Sequence, residues 1–167
     1  MTRHTLRRLA AACTLAALAV VSVSATAETL RKFSLPELAG VLAAEGYGSV
    51  EVDDHHVRFM AEGRTFGLYR YADGDLQMFY GITGVELLAS DVNDWNRTYR
   101  LSRAYLDENG DPVLEADLLA NAGLSPRIVT EFVRVFVDAS AQYRNFVLEH
   151  DRSGETPPAS RRPIGSL

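Results

Sequence analysis

The spacing of hydrophobic and polar positions changes several times between residues 34 and 150, and each change marks a new element. Ser34-Leu35-Pro36-Glu37 places a serine and a glutamate three apart, so each side chain can satisfy the other's backbone amide at a helix start. Leu38, Val41 and Leu42 then recur at helical spacing until Gly46, which predicts a short first helix. From residue 49 to 82 the period falls to two. Extended runs at 50–52, 57–60, 65–71 and 76–80 are separated by turn signals at Asp53-Asp54, Glu62-Gly63 and Asp73-Gly74, which predicts a four-stranded antiparallel meander. In the third run Phe66, Leu68 and Arg70 alternate with Thr65, Gly67, Tyr69 and Tyr71, so one face should be dry and the other partly wet.

Helical spacing returns at Thr83-Gly84-Val85-Glu86, a second capping box, followed by the stripe Val85, Leu88, Val92, Trp95. Residues 99–106 and 113–119 are expected to pair across the Asn109-Gly110 turn. Ser125-Pro126 is a helix cap followed by proline at the first helical position, and opens the third and longest helix. After His150 the apolar periodicity stops at Asp151-Arg152-Ser153-Gly154, so 151–167 is expected to be a disordered tail. The order α-β-β-β-β-α-β-β-α implies an α+β fold in which helices pack against an antiparallel sheet.

The third helix has more apolar surface than one sheet needs. On a wheel, Ile128, Phe132, Val135, Phe136, Ala139, Tyr143, Phe146 and Val147 fall together, with Val129, Val133 and Val137 extending the arc to roughly 200°. A single sheet contact uses about 100°. The surplus needs a cover, which could be the first helix, a second copy of the chain in a homodimer, or a segment of another protein. Val129, Val133, Phe136 and Val137 are the candidate partner-binding residues.

The N-terminus supplies the compartment. Arg3, Arg7 and Arg8 precede an apolar run over 9–23 and then Ala25-Thr26-Ala27, the arrangement of a secretory signal cut after Ala27. The expected organisation is a signal peptide at 1–27, one domain at 28–150 and the tail, with the protein periplasmic or secreted and not stably inserted in the membrane after cleavage. Retention of the run as an uncleaved anchor is the alternative, disfavoured because the run is short and diluted by Thr14, Ser22 and Ser24. Cys13 is too early in the apolar run for a lipid-attachment site and departs with the signal, which removes disulfides and thiolate chemistry. Cleavage also removes three of the 17 basic residues and none of the 22 acids, taking the formal charge from -5 to about -8. Such an acidic chain disfavours nucleic acid as a partner.

Candidate chemistry is sparse. His55 and His56 follow Asp53-Asp54, a metal-ligating set in composition, but neighbours on a strand point to opposite faces and a turn splays them, so no metal or other cofactor is expected. The segments beginning at Asp91 and Asp107 lack the glycine position of a calcium loop. No nucleophile elbow, phosphate loop or zinc-protease motif is present, and the carboxylates Glu115 and Asp117 lack an evident pocket, so no enzyme activity is expected. Trp95 lies on the apolar stripe as a core aromatic. Asn93 and Asn96 sit at its border, where an amide can satisfy a sheet edge or the start of a strand through both donor and acceptor.

The run Asp91-Val92-Asn93-Asp94-Trp95-Asn96 also carries a resemblance. With Arg103-Ala104-Tyr105-Leu106-Asp107, Asn109-Gly110, Val113-Leu114-Glu115-Ala116-Asp117-Leu118 and Gly123 before a helix rich in Phe and Val, it resembles the YbjN-domain family of bacterial sensory transduction regulators, over about residues 35–148. The resemblance implies a fold similar to the type III secretion chaperones, which dimerise and accept extended segments of partners. It marks Asn93, Trp95 and Asn96 as family positions without assigning them a reaction. Ala122-Gly123 stands where relatives tend to have Gly-Gly, which puts a tight backbone approach at that corner in doubt. Together these observations imply an exported, non-enzymatic binding module, with a cell-envelope sensor of a metal or small ligand as the alternative.

Overall fold

The computed structural model describes residues 30–154. The chain runs α1 (Leu35–Ala44), β1 (Gly48–Val52), β2 (His56–Ala61), β3 (Arg64–Arg70), β4 (Leu76–Gly81), α2 (Ala89–Thr98), β5 (Arg103–Leu106), β6 (Pro112–Leu118) and α3 (Pro126–His150), which is the expected order. The strands form one antiparallel sheet in the order β1-β2-β3-β4-β6-β5, so the second hairpin attaches to the meander through β6. α1 lies on β1 and β2, α3 crosses β4 and β6, and α2 rests against β5. All three helices share one core with the sheet, built from Leu38 and Leu42, Phe59, Phe66, Leu68, Met78 and Leu114, and Val129, Val133 and Val147. The strand alternation follows: Val57, Phe59 and Ala61 are buried while Arg58 and Met60 face solvent.

The first capping box forms as expected. The Ser34 amide donates to Glu37 Oε2 at 2.9 Å and the Glu37 amide to Ser34 Oγ at 3.4 Å. The second does not. Residues 83–88 are not helical and α2 begins at Ala89, with the Asp91 carboxylate accepting from the Leu88 amide at 3.0 Å. Tertiary bonds outcompete the Thr83 cap: the Glu86 amide donates to Asp151 Oδ1 at 2.9 Å, and the Glu86 carbonyl accepts from the Arg152 amide at 3.0 Å. Gly84, at φ +76°, turns the chain toward those partners. The same bonds extend the domain past His150, because Arg152 also donates to buried Asp91 at 2.6 Å. Asp151 and Arg152, expected to open the tail, therefore belong to the fold; the segment expected to be a signal peptide, at 1–27, and residues 155–167 lie outside the described residues.

Strand β5 is shorter than the pattern suggests, starting at Arg103 and not at Tyr99. The Tyr99 ring stacks on Trp95 at 3.8 Å, which holds it against the end of α2. Leu101 then adopts φ +66°, turning the chain before it joins β6. At Gly123, φ is +81° and a side chain would come within 2.9 Å of the Arg31 amide nitrogen. The tight backbone approach is thus kept with Ala122 present, and it lets Arg31 and Leu124 exchange two hydrogen bonds of 2.8 Å.

Candidate functional site

A broad concavity lies where the N-terminal half of α3 passes β6. Ser125 fixes the helix start: its hydroxyl accepts from the Ile128 amide at 3.3 Å, and its carbonyl accepts from the Val129 amide at 3.1 Å. From that start, Val129, Val133, Phe136 and Val137 point into the core with exposures of 0, 0, 2 and 5%. Four candidate partner-binding residues are therefore covered by their own chain. A wheel gives the width of an arc but not its orientation, and here α1 and the sheet together take the side expected to be free.

The uncovered part of the arc lies one step round the helix. Ile128, Phe132 and Val135 are half-buried, and with Leu118, Ala116 and Leu101 they line a groove of about 580 Å³. Phe136 is the one predicted partner-binding residue that also contributes to its wall. Leu101 is 74% exposed at the rim, in a left-handed conformation that costs a branched side chain on the order of 1 kcal/mol. None of Ile128, Phe132, Val135 or Leu101 is singled out by the expected pairing of 99–106, because a full-length strand there would have filled the groove.

Charged groups rim the groove, and the chain itself engages most of them. Glu115 pairs with Arg103 and accepts from the Tyr105 hydroxyl at 2.7 Å. Burial first, and then that carboxylate, push the Tyr105 phenol up to about 12. Asp117 accepts from Gln77 Nε2 at 2.8 Å, and Gln77 Oε1 accepts from Tyr71 at 2.9 Å. Glu131 pairs with Arg134, which lowers the Glu131 carboxyl. These carboxylates act as hydrogen-bond acceptors and ion-pair partners, an arrangement that positions side chains.

The family positions divide by role. Trp95 is fully buried, with its ring edge-on to Tyr143 at 4.9 Å and its indole N–H directed at Ser102 Oγ at 3.4 Å. Asn96 behaves as a strand neighbour: its Oδ1 accepts from the Ala104 amide at 2.8 Å and its Nδ2 donates to the Ala104 carbonyl at 2.9 Å. It thereby closes the outer edge of β5. Asn93 is exposed on α2. His55 and His56 separate as expected. His56 stacks on Tyr69 at 4.7 Å and its Nε2 lies 3.3 Å from Asp53 Oδ2, while His55 borders a different cleft beside Arg70 and Leu35. Among the described residues no three His, Cys, Asp or Glu side chains converge as a metal site.

No curated protein sequence matches the chain. Among solved structures, YbjN of E. coli superposes with a TM-score of 0.56 at 17% identity, covering 72% of this chain and 93% of that one, which shows a shared fold. The Yersinia pestis type III secretion chaperone SycH, solved with a fragment of YscM2, gives a TM-score of 0.48 at 18% identity over 65% of this chain and 97% of that one. The model of the YbjN family, described as "Putative bacterial sensory transduction regulator", matches residues 34–149, and the chain belongs to that family.

Proposed function

We propose that this protein is an exported, non-enzymatic regulator that works by holding a segment of another protein in the groove between α3 and β6. One observation carries the proposal: Ile128, Phe132 and Val135 form a half-exposed apolar stripe on the N-terminal half of a helix that buries Val129, Val133, Phe136 and Val137, and a wall of β6 faces it. An apolar stripe beside a strand edge is a common way of receiving peptide segments. The polar groups around it are engaged in structural bonds, which favours adhesion over turnover. Export follows from the arginine-led apolar start of the sequence. Among the described residues no helix is long and apolar enough to cross a membrane.

The test compares the full-length protein, purified from the cell envelope under native conditions, with Phe132→Asp. Phe132 is half-buried, so the variant should fold and unfold within a few degrees of the parent. The proposal expects a defined protein to co-purify stoichiometrically with the parent and to be lost from the variant. Equal retention by both would refute it, and a variant that loses only a second copy of its own chain would turn the groove into a dimer interface.

A further inference from the structure

We infer that the partner enters as an extended strand that continues the line of β5 along β6, with the side-chain pattern apolar–basic–apolar. The inference rests on the groove being the binding surface and adds how the backbone is read there.

The hydrogen-bonding direction of β6 follows from three separate contacts. Asn96 holds both the amide and the carbonyl of Ala104 from outside the sheet, so Ala104 points away from β6. Its neighbours Arg103 and Tyr105 must then point toward β6, where they face Glu115 and Val113. The odd-numbered residues of β6 are thus directed to the β5 side and the even-numbered ones to β4. Two bonds on the opposite side agree: the Pro112 carbonyl accepts from the Ile82 amide at 3.0 Å, and the Ala120 amide donates to Asp75 Oδ1 at 2.6 Å.

The next odd residue is Asp117. Continued register would set Leu101 opposite it, but Leu101 turns away at φ +66°, so β5 ends at Arg103 while β6 runs on to Leu118. The Asp117 amide and carbonyl therefore face the groove as an open strand edge. An antiparallel strand entering there exchanges both bonds with Asp117. The residue opposite Asp117 then has its side chain on the helix-free face, beside the Asp117 carboxylate, which enters no ion pair among the described residues. Its two neighbours face Ile128, Phe132 and Val135 on α3. A basic residue flanked by apolar ones fits both surfaces.

The probe is a fluorescent peptide of alternating valine and lysine, titrated into the full-length protein. In the proposed register the lysine amides face β6 and the valine amides face outward. N-methylation of the lysines should weaken binding at least tenfold, the loss expected when hydrogen bonds are removed and a methyl group is wedged into the edge, while N-methylation of the valines should change it less than about threefold. Asp117→Lys should reverse the preference toward a valine–glutamate peptide. Equal sensitivity to methylation at both positions would overturn strand addition, even where Phe132→Asp still abolishes binding and the groove stands. If the valine–lysine peptide does not bind at millimolar concentration, strand addition and the groove both fail.

Discussion

Asn96 shows how one side chain can substitute for a strand. Its amide supplies one acceptor and one donor to the backbone of Ala104, a residue that is 3% exposed, so removing it strands two buried polar groups. Asn96→Ala should lower the unfolding free energy by about 1–3 kcal/mol in urea titrations. Asn93→Ala, three residues earlier on an exposed position, should stay within about 0.5 kcal/mol of the parent. Equal costs for the two would contradict the division of roles. Asp91 is a second such case, 7% exposed at the start of α2. Burial alone would raise its carboxyl, but the Leu88 amide and the Arg152 guanidinium outweigh that and hold it below the ordinary value. A lowered folded value means that the stabilisation is complete above about pH 4 and drains away as pH falls below it. Thermal unfolding from pH 6 to pH 2 should therefore be flatter for Asp91→Asn than for the parent. At this scale the sequence was partly legible: the two-sided bonding of an amide next to a strand start could be read from Asn96, because it depends on local spacing. The failure of the Thr83 cap could not, because its competitor is Asp151, 65 residues from Glu86 along the chain.

Among the elements, α3 has the bounds its sequence predicts but turns Ile128, Phe132 and Val135 outward in place of Val129, Val133 and Val137. Ser125-Pro126 sets its start and the apolar period sets its length, both local signals. Which third of its arc stays open depends on where α1 lands and where β5 stops, and the second of these turns on the Tyr99–Trp95 stack and the backbone of Leu101. The distinction can be measured with two neighbouring substitutions. Val133→Asp places a charge at a position with no exposure and should cost more than about 4 kcal/mol, leaving the protein unfolded or nearly so in circular dichroism. Phe132→Asp should retain the parent's spectrum and cooperative melt. If both unfold, Phe132 belongs to the core and the groove is not a surface.

At the scale of the molecule, a six-stranded sheet carries all three helices on one face, and its order brings β5 and β6 to an edge that is sealed at Ala104 by Asn96 and left open at Asp117. Sealing one stretch and opening the next marks out Asp117 as the place on this edge where a partner adds. The formal charge of -5 for the whole sequence favours basic partners over nucleic acid, in line with a basic residue opposite Asp117. The most direct test of this account is photo-crosslinking in cells, with a photoreactive phenylalanine analogue placed at Phe132 in one protein and at exposed Arg144, further along α3, in another. The account predicts a discrete protein adduct from position 132 and none from position 144. Adducts alike from both positions, or none from 132, would contradict it.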